Sequence, residues 1–367
     1  MADLPTIRQL AAQAGVSRTT VSLALRNHPS ISPSTRERIQ RVAREEGYRI
    51  DPLVATLMTQ LRTGRRKRSV EKLAYLTSWP TRDEWLSVSA NDRRFFEGVR
   101  ARADRLGYEV EHIWAKEPGM TAARLSKILY TRAIRGLILA PMLQAHGHAS
   151  LDWQYFAAST ISYTVSKPAL HRTTHSHYTG MLLTLRNLKR HGYRRIGLTC
   201  LTDQDERVNH AWQAAYLIHY HSLPLPQRVP PFFAASAQGI HPGKAFARKK
   251  GEFRKWIEQH RPDVVVSNLT APLDLLREMG RDVPGEIGYA CLDLPDESAV
   301  LSGVDQLASE VGAAAVDLVV TQLQNNEFGL PTCPKTVQID GLWRDGATTR
   351  FPAARPPAAR KRRPAKR

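Results

Sequence analysis

Between residues 72 and 346, short apolar runs alternate with longer amphipathic stretches, and this alternation constrains the fold more than any other feature. The apolar runs predict strands and the amphipathic stretches predict helices, so the order is β-α-β-α over most of the chain. Such an order is typical of parallel sheets with helices on both faces, because a parallel connection needs a long crossover. The predicted fold class is therefore α/β, with doubly wound parallel sheets and binding crevices at the carboxyl ends of the strands.

The runs and stretches can be assigned individually. Predicted strands are Leu73–Trp79, Glu109–Trp114, Gly136–Pro141, Ile161–Val165, Arg195–Leu201, Asp263–Ser267 and Glu286–Leu292. Predicted helices are Asn91–Leu106, Ala122–Arg132, Tyr178–His191, Gln204–His219, Lys244–Gln259, Ala271–Met279 and Glu310–Asn325. The polar stretch His171–His175 is interpreted as a loop.

Residues 1–50 follow a different pattern, which predicts a domain made only of helices. Thr6, with Gln9 three residues later, predicts a capping box at the start of the first helix. Gly15 ends that helix, because glycine accepts a positive φ without strain. Ser17 is the N-cap of a second short helix, so the two helices and their tight turn form a helix-turn-helix.

A third helix completes this segment. Ser32 is its N-cap, Pro33 occupies its first turn and Gly47 ends it. Val21 and Leu25 of the second helix face inward, so the three helices are predicted to share a small apolar core. A purely structural three-helix bundle is one interpretation, but it leaves the polar start of the second helix without a purpose.

Charge is concentrated at the two ends of the chain. Residues 1–70 contain 13 Lys/Arg against 5 Asp/Glu, and residues 350–367 contain 8 Lys/Arg and no acid, whereas the middle is nearly neutral. A basic segment that carries a helix-turn-helix predicts nucleic-acid binding, because lysine and arginine neutralise backbone phosphates. A uniformly basic enzyme would not have this distribution.

The second helix has the features of a recognition helix. Its residues Arg18, Thr19 and Ser22 point away from the apolar face and are predicted to reach base edges in the major groove. The predicted phosphate contacts around that helix are Ser17, Asn27 and Ser32.

The segment from Thr6 to Leu25, followed by Ser32–Arg38 and Glu46–Arg49, resembles the DNA-binding head of the LacI/GalR family of bacterial transcriptional regulators. The resemblance implies a homodimer that reads a palindromic operator, and we expect a repressor. It places Leu23, with Arg18 and Thr19, at the base-reading positions and adds Thr6 to the DNA contacts. A polar or basic residue is common where this chain has Leu23. Leu23 has two possible roles: it makes an apolar contact with a thymine methyl group, or it makes no base contact at all.

Residues 51–71 are predicted to form a hinge helix and a basic linker. Asp51 and Pro52 are a helix start, after which leucines recur every four residues. By resemblance, paired hinge helices insert Leu57 into the minor groove at the operator centre and kink the DNA. A helix packed permanently on the body is the alternative. The linker Arg62–Arg68 is expected to lie near phosphates.

The body resembles the periplasmic-binding-protein-like effector module of the same family. The resemblance is carried by Ile134–Ile138, His191–Gly197, Pro262–Val265 and Val283–Gly288. It implies an effector-binding and dimerisation module over residues 72–346, made of two lobes with a small-molecule effector between them. Lobe one is predicted to contain residues 72–162 and 294–322, and lobe two residues 163–293 and 323–346.

The resemblance also implies effector-binding residues. Arg207 matches an arginine that commonly binds the effector, and Asp293 matches the acid that ends a crevice-facing strand. Asn268 follows another such strand, and these three side chains together suit hydrogen bonds to sugar hydroxyls. Trp79 and Trp153 are candidates for stacking on a sugar ring. For each residue the alternative is a surface ion pair or a packed ring.

The sequence departs from the family pattern at two places that bear on the effector. Ser176–His177 stands where the family usually has an Asp-Asn pair, and Asn268–Leu269 where it often has Asn-Asp. Fewer acidic groups are therefore expected around the effector. The histidines His171, His175 and His177 have a spacing that can bind zinc on a helix, but no Cys or carboxylate cluster lies beside them. We expect surface histidines and no metal.

The sequence lacks the motifs typical of enzymes, membrane proteins and secreted receptors. Neither a nucleotide-binding glycine loop nor a Gly-x-Ser-x-Gly elbow occurs, so we expect no enzyme activity and no cofactor. No apolar window reaches the roughly 18 residues that a membrane helix needs, and the first residues do not resemble a signal peptide. A transport receptor is therefore disfavoured, and we expect a cytoplasmic, nucleoid-associated protein.

Residues 347–367 are rich in Pro, Ala and Arg and are predicted to form a disordered basic tail. Two roles for this tail are left as alternatives: it increases the affinity for DNA phosphates, or it only keeps the protein soluble. An architectural DNA-binding protein whose body binds nothing is the main rival to a ligand-responsive regulator.

Overall fold

The structure is a computed structural model that describes residues 6–46, 48, 71–88, 90–235, 242–295 and 300–351. Its helices are α1 (Ile7–Gln13), α2 (Arg18–Leu25), α3 (Pro33–Glu45), α4 (Glu84–Val88), α5 (Ala90–Arg105), α6 (Ala122–Thr131), α7 (His177–Arg190), α8 (Thr202–Glu206), α9 (Ala211–Ser222), α10 (Pro242–Ala247), α11 (Lys250–His260), α12 (Ala271–Glu278) and α13 (Ala308–Asn325). Its strands are β1 (Glu71–Thr77), β2 (Tyr108–Trp114), β3 (Gly136–Leu139), β4 (Gly147–His148), β5 (Ala157–Ile161), β6 (Val165–Lys167), β7 (His171–His175), β8 (Ile196–Leu201), β9 (Phe232–Ala234), β10 (Val264–Ser267), β11 (Gly288–Cys291), β12 (Ser302–Asp305), β13 (Thr336–Ile339) and β14 (Leu342–Arg344).

The head consists of α1, α2 and α3, and their starts follow the capping signals of the sequence. The Thr6 side chain and Gln9 form the reciprocal capping box, and Gly15 has a φ of +61°. Ser17 and Ser32 accept hydrogen bonds from the backbone N–H groups three residues later. The helices enclose a core of Leu10, Ala11, Ala14, Val21, Ala24, Ile39 and Ala43, which contains no residue of the body.

Lobe one is built on a parallel sheet with the strand order β13-β7-β5-β3-β1-β2. One core lies between this sheet and the helices α5 and α13, and a second lies on the side of α6. Helices α5 and α13 approach very closely, because Gly98 of α5 faces the backbone of Ser309 and Gly312 of α13 faces that of Phe95. Short strands β4 and β6 pair separately beside the carboxyl edge.

Lobe two has the strand order β14-β12-β11-β10-β8-β9, parallel except for β14. Buried aromatic and aliphatic residues fill both faces of this sheet, as expected for strands covered by helices on both sides. The fold-class prediction, an all-helical head followed by a two-lobed module of doubly wound parallel sheets, is confirmed.

The crossings between the lobes differ from the predicted boundaries. Strands β7 and β13 lie in the sheet of lobe one, and β12 lies in the sheet of lobe two. The chain therefore crosses at residues 176, 306–307 and 340–341 rather than near 162, 293 and 322. The three crossings touch each other: the N–H of Ser176 donates to the carbonyl of Ile339 at 2.9 Å, and Gly341 packs on His175 and Asp305.

The interpretation of His171–His175 as a loop with surface histidines is wrong. This stretch is β7, an inner strand whose histidine side chains are buried. His171 Nδ1 accepts a hydrogen bond from the Lys335 N–H at 3.0 Å, and His175 Nδ1 lies 3.0 Å from the Ile339 carbonyl. Hydrogen bonding to the neighbouring backbone makes it possible to bury a strand that has no apolar run.

Smaller differences concern element limits. The predicted strand Ile161–Val165 is shifted, because β5 ends at its first residue and β6 begins at its last. The predicted helix Gln204–His219 is divided into α8 and α9 by left-handed residues Asn209 and His210. The predicted helix Lys244–Gln259 is divided into α10 and α11.

The predicted tail begins too early. Thr348 and Thr349 are buried against lobe two, where the Thr348 carbonyl accepts a hydrogen bond from the Tyr289 N–H at 2.7 Å. Hydroxyl and backbone hydrogen bonds hold this short polar segment in place, so composition alone placed its start wrongly. Residues 352–367 and the hinge and linker at 51–70 lie outside the described residues. In the part of the chain that is described, no helix is long and apolar enough to cross a membrane.

Candidate nucleic-acid interface and interlobe cleft

The outer face of α2 carries the predicted base-reading residues. Arg18 and Thr19 are exposed at its first turn, and Ser22 and Leu23 are partly buried one turn later. Val21 and Ala24 point the other way into the head core. The helix therefore presents a polar N-terminal face beside one apolar side chain, as a helix that enters a major groove requires.

The predicted phosphate contacts have defined structural roles in the head. The hydroxyl groups of Thr6, Ser17 and Ser32 cap the three helices. Asn27 has a φ of +57°, and its amide oxygen accepts a hydrogen bond from Gln40 at 2.8 Å. Asn27 therefore shapes the turn after α2, and its phosphate contact stays a prediction, as do the others. Leu57 lies outside the described residues.

Arg207 extends from the end of α8 across the cleft between the lobes. Its Nη1 donates to the carbonyl of Leu143 in lobe one at 2.9 Å. Burial lowers the pKa of this guanidinium, while the carboxylates of Asp92, Asp203 and Asp293 raise it. The predicted effector arginine thus lies in the cleft, among carboxylates that come from both lobes.

Asp293 also lies in the cleft, where it meets lobe one directly. Its carboxylate accepts a hydrogen bond from the side-chain amide of Asn91 at the start of α5. Burial, together with the nearby Asp92, raises the pKa of Asp293 to about 7, against the opposing effects of Asn91, Arg94 and Arg207. This carboxyl group therefore changes charge near neutral pH.

A second polar contact joins the lobes beside the crossings. Asp305 binds Arg94 of α5 at 3.1 Å and Arg344 of β14 at 2.6 Å. Burial alone would raise the pKa of Asp305, but the Leu307 N–H, Arg344 and Arg94 hold it below its usual value. At the cleft margin, His146 of lobe one lies 3.1 Å from Glu206 of lobe two.

The other predicted effector residues are placed less favourably. Asn268 follows β10 at the carboxyl edge, where its side-chain oxygen accepts a hydrogen bond from Cys200 at 3.1 Å. Trp79 follows β1 but is only 2% exposed, so its ring is part of the core of lobe one. Trp153 precedes β5 and packs on the core beside α6, which puts it at the amino edge of the sheet, away from the cleft.

Sequence reasoning missed the lobe-one side of the cleft. Asn91, Asp92 and Arg94 lie at the start of α5, which follows β1 and the short helix α4. Polar residues at the start of a helix that follows a strand were the available signal. His177 is buried with Nδ1 unpartnered within the described residues and with its ring on Trp212. Those same residues contain no group of three potential ligands arranged for a metal ion.

Two family models match this chain. The model described as bacterial regulatory proteins, lacI family, matches residues 6–51. The model described as periplasmic binding protein-like domain matches residues 185–336. The chain therefore combines a segment similar to the lacI family of regulatory proteins with a segment similar to a periplasmic binding protein-like domain. The first matched region corresponds to the head, and the second contains most of lobe two together with α13 of lobe one.

Individual proteins are similar to the head or to most of the chain. The HTH-type transcriptional regulator CelR of Thermobifida fusca is 41% identical over 56 residues, which is 15% of this chain and 16% of that protein. A CelR–cellobiose complex is 18% identical with a TM-score of 0.54, covering 94% of this chain and 99% of that one. A Lac repressor dimer bound to operator and the anti-inducer ONPF is 19% identical, with a TM-score of 0.53 over 95% and 99%. At these identities the two structures establish the fold of this chain.

The raised pKa of Asp293 predicts a pH dependence of stability. The folded-state pKa of about 7 lies above the usual value near 4, so the folded state binds the proton more tightly. Stability should therefore increase as pH falls from about 7 towards about 4. Between pH 8 and pH 5 we expect wild type to gain about 2 kcal/mol relative to Asp293→Asn, measured by denaturant unfolding.

The control for this measurement is Asp104→Asn, which removes an exposed carboxylate from α5. Its pH profile should run parallel to that of wild type. If Asp293→Asn and Asp104→Asn have the same profile, Asp293 does not titrate as proposed.

Proposed function

We propose that this chain is a sequence-specific DNA-binding transcriptional regulator that binds a palindromic operator as a homodimer. A small molecule of the carbohydrate class, bound between the lobes, would adjust its operator affinity. We expect repression rather than activation. The observation that carries the proposal is the combination, in one chain, of a head that matches the lacI family model with an exposed polar α2 face and a cleft lined by charged groups of both lobes.

The head supports the DNA-binding part. Its residues Arg18 and Thr19 are exposed at the start of α2, where side chains of a recognition helix reach base edges. In the Lac repressor structure to which this chain is similar, a dimer is bound to operator. We extend both features, the dimer and the operator, to this chain, together with the minor-groove insertion of Leu57.

The cleft supports the effector part. Arg207, Asp203 and Asp293 supply donors and acceptors at the edge of lobe two, and Asn91 supplies an amide opposite them. Such a mixed set suits a neutral polyhydroxyl ligand better than a strongly charged one. The similar CelR structure is a complex with cellobiose, which makes cellobiose the first ligand to test.

The mechanism that we propose is linkage between the two sites. An effector that binds one arrangement of the lobes better than another increases the population of that arrangement. The factor by which the effector changes the affinity for operator equals the factor by which operator changes the affinity for the effector. No catalytic step is needed, so we propose that the protein is not an enzyme. We also propose that it acts in the cytoplasm, at the nucleoid.

The test is selection and sequencing of DNA fragments retained by the full-length protein at about 150 mM salt, where non-specific phosphate binding is weakened. A two-fold symmetric site is the expected result. Arg18→Ala should bind that site about ten- to a hundredfold more weakly, the amount that one good base contact contributes. Retention of fragments without a common sequence would favour the architectural alternative.

The effector part is tested separately on the selected site. Addition of a sugar panel that begins with cellobiose should change the affinity for the site, and Arg207→Ala should remove that response while leaving the affinity without sugar similar. Unchanged operator affinity with every sugar would contradict the carbohydrate part and leave the DNA-binding part standing.

A further inference from the structure

A hydrogen bond joins the head directly to lobe one. The side-chain amide of Asn326, which follows the last residue of α13, donates to the backbone carbonyl of Arg26 at 2.8 Å. Arg26 is the C-cap of α2, and the last carbonyls of a helix have no partner within that helix. Lobe one therefore supplies a hydrogen-bond donor to the carboxyl end of the predicted recognition helix.

The position of Asn326 is set by lobe one. Its φ is +54°, a left-handed conformation that asparagine adopts more readily than most other residues. In the loop that follows, the Gly329 N–H donates to the Phe156 carbonyl at 3.0 Å. The ring of Phe328 lies 5.6 Å from the guanidinium of Arg135. Both contacts are with residues of lobe one, so Asn326 moves with that lobe.

The opposite end of α13 lies at the crossings between the lobes. The helix begins at Ala308, two residues after Gln306, whose side-chain amide donates to the Leu292 carbonyl of lobe two at 2.9 Å. The neighbouring Asp305 binds Arg94 of lobe one. Helix α13 has 18 residues and therefore spans about 27 Å between the crossings and the contact with the head.

Helix α13 is fixed to lobe one along its length. Gly312 faces the backbone of Phe95 on α5, with no room for a side chain between them. Near the far end, the buried side chain of Gln322 bonds to both the N–H and the carbonyl of Ala158 on β5, each at 3.2 Å. A rotation of lobe one therefore moves the whole helix. Each degree of rotation about an axis perpendicular to the helix at the crossings displaces its far end by about 0.5 Å.

We propose that α13 transmits the arrangement of the lobes to the head, and that Asn326 is a positioning residue that holds the carboxyl end of α2. The proposal rests on the proposed function, because it concerns how the cleft controls operator binding. Arg18 and Thr19 are exposed at the other end of α2, so the contact leaves the base-reading turn accessible. It therefore orients the head for the operator and does not block it.

The contact itself is tested without DNA, by hydrogen exchange of the head in the full-length protein. Asn326→Gly removes the amide and accepts the positive φ, so the end of α13 keeps its conformation. Asn326→Asp has a similar shape but places an acceptor opposite the Arg26 carbonyl. Amides of α2 should exchange about two- to tenfold faster in Asn326→Gly, the factor that one hydrogen bond contributes, and faster still in Asn326→Asp.

Asn325→Asp is the matched control, because Asn325 is exposed and the same charge is added one residue away. Amides of α2 should exchange in this variant as they do in wild type. Unchanged exchange of β3 in the same samples shows that lobe one remains folded. Wild-type exchange of α2 in both Asn326 variants would overturn the proposal, because lobe one would then not hold the head.

Transmission is tested on the selected operator with a double-mutant cycle. Asn91→Ala breaks the bond to Asp293 that joins the lobes at the start of α5. Effects of substitutions at distant sites usually add, so a shared route appears as a departure from additivity. Asn326→Gly should bind the operator about two- to tenfold more weakly. In that background, Asn91→Ala should change the affinity by a smaller factor than it does in wild type.

Additive effects of Asn91→Ala and Asn326→Gly would overturn transmission through α13, whatever the size of each effect. Failure of wild type to select any site would instead contradict the proposed function. In that case the exchange measurement still decides whether Asn326 holds the head, because it requires no operator.

Discussion

Replacing Gly312 with alanine should destabilise lobe one by about 3 kcal/mol or more, the range of severe overpacking. A Cβ at this position would lie 2.1 Å from the carbonyl oxygen of Phe95, which belongs to the backbone of α5 and cannot rotate away. Gly98 on the facing helix is under the same constraint, since its Cβ would lie 1.9 Å from the Ser309 oxygen. Only separation of α5 and α13 would relieve either contact.

The matched control is Gly251→Ala in α11. This glycine is exposed, and a Cβ there would have no heavy atom within 4 Å. Alanine is the better helix former, so the control should be neutral or stabilising by about 0.5–1 kcal/mol. Chemical denaturation of the three proteins compares them directly. Equal stability of Gly312→Ala and Gly251→Ala would show that the two helices are not held as close as described.

Ala11→Asp should abolish operator binding, with a loss of more than about a hundredfold, because it unfolds the head. The Ala11 side chain lies in a head core of few residues, and an unpaired buried carboxylate costs several kcal/mol. A three-helix segment of this size has little stability to lose. The body has separate cores and should keep its own unfolding transition.

The neighbouring Ala12→Asp provides the control, because Ala12 is exposed on the same helix and receives the same charge. Any general repulsion between the added carboxylate and DNA phosphates is common to both variants. Affinity for the selected operator, measured by fluorescence anisotropy, should fall only modestly in Ala12→Asp. A similar loss in both would mean that charge, rather than folding of the head, controls binding.

The head was the most predictable part of the molecule, because its signals are local. A capping box, an N-cap serine and a glycine with positive φ each act within four residues, so Thr6, Ser17 and Gly15 could be assigned from the chain alone. The turn function of Asn27 was not foreseen, because its partner Gln40 comes from a different helix.

The lobes were predictable as a class but not in their division. Strands such as β1 and β10 can be recognised from their apolar sequences. Strand β7 is built of histidine, arginine and threonine and gives no apolar signal. Its burial depends on backbone partners at Lys335 and Ile339, which are distant in sequence. The two later boundaries were misplaced because β12 and β13 were not predicted from the sequence.

The cleft residues of lobe two could be predicted from the sequence, whereas those of lobe one could not. Arg207 and Asp293 follow strands of lobe two, where the family resemblance and the rule on strand ends agree, and both lie in the cleft. Asn91 and Arg94 were missed because their partners, Asp293 and Asp305, come from the other lobe. Trp153 was chosen for its ring alone, and its place before β5 puts it at the opposite edge.

The three crossings between the lobes lie side by side and touch, at Ser176 and Ile339 and around Gly341. A single strand between two bodies permits bending and twisting in any direction, but three adjacent strands resist twist and leave one easy rotation. We therefore expect the lobes to rotate mainly about one axis that runs through the crossings. Under the proposed function, a ligand in the cleft sets the angle between the lobes, and that angle is the quantity passed on to the head.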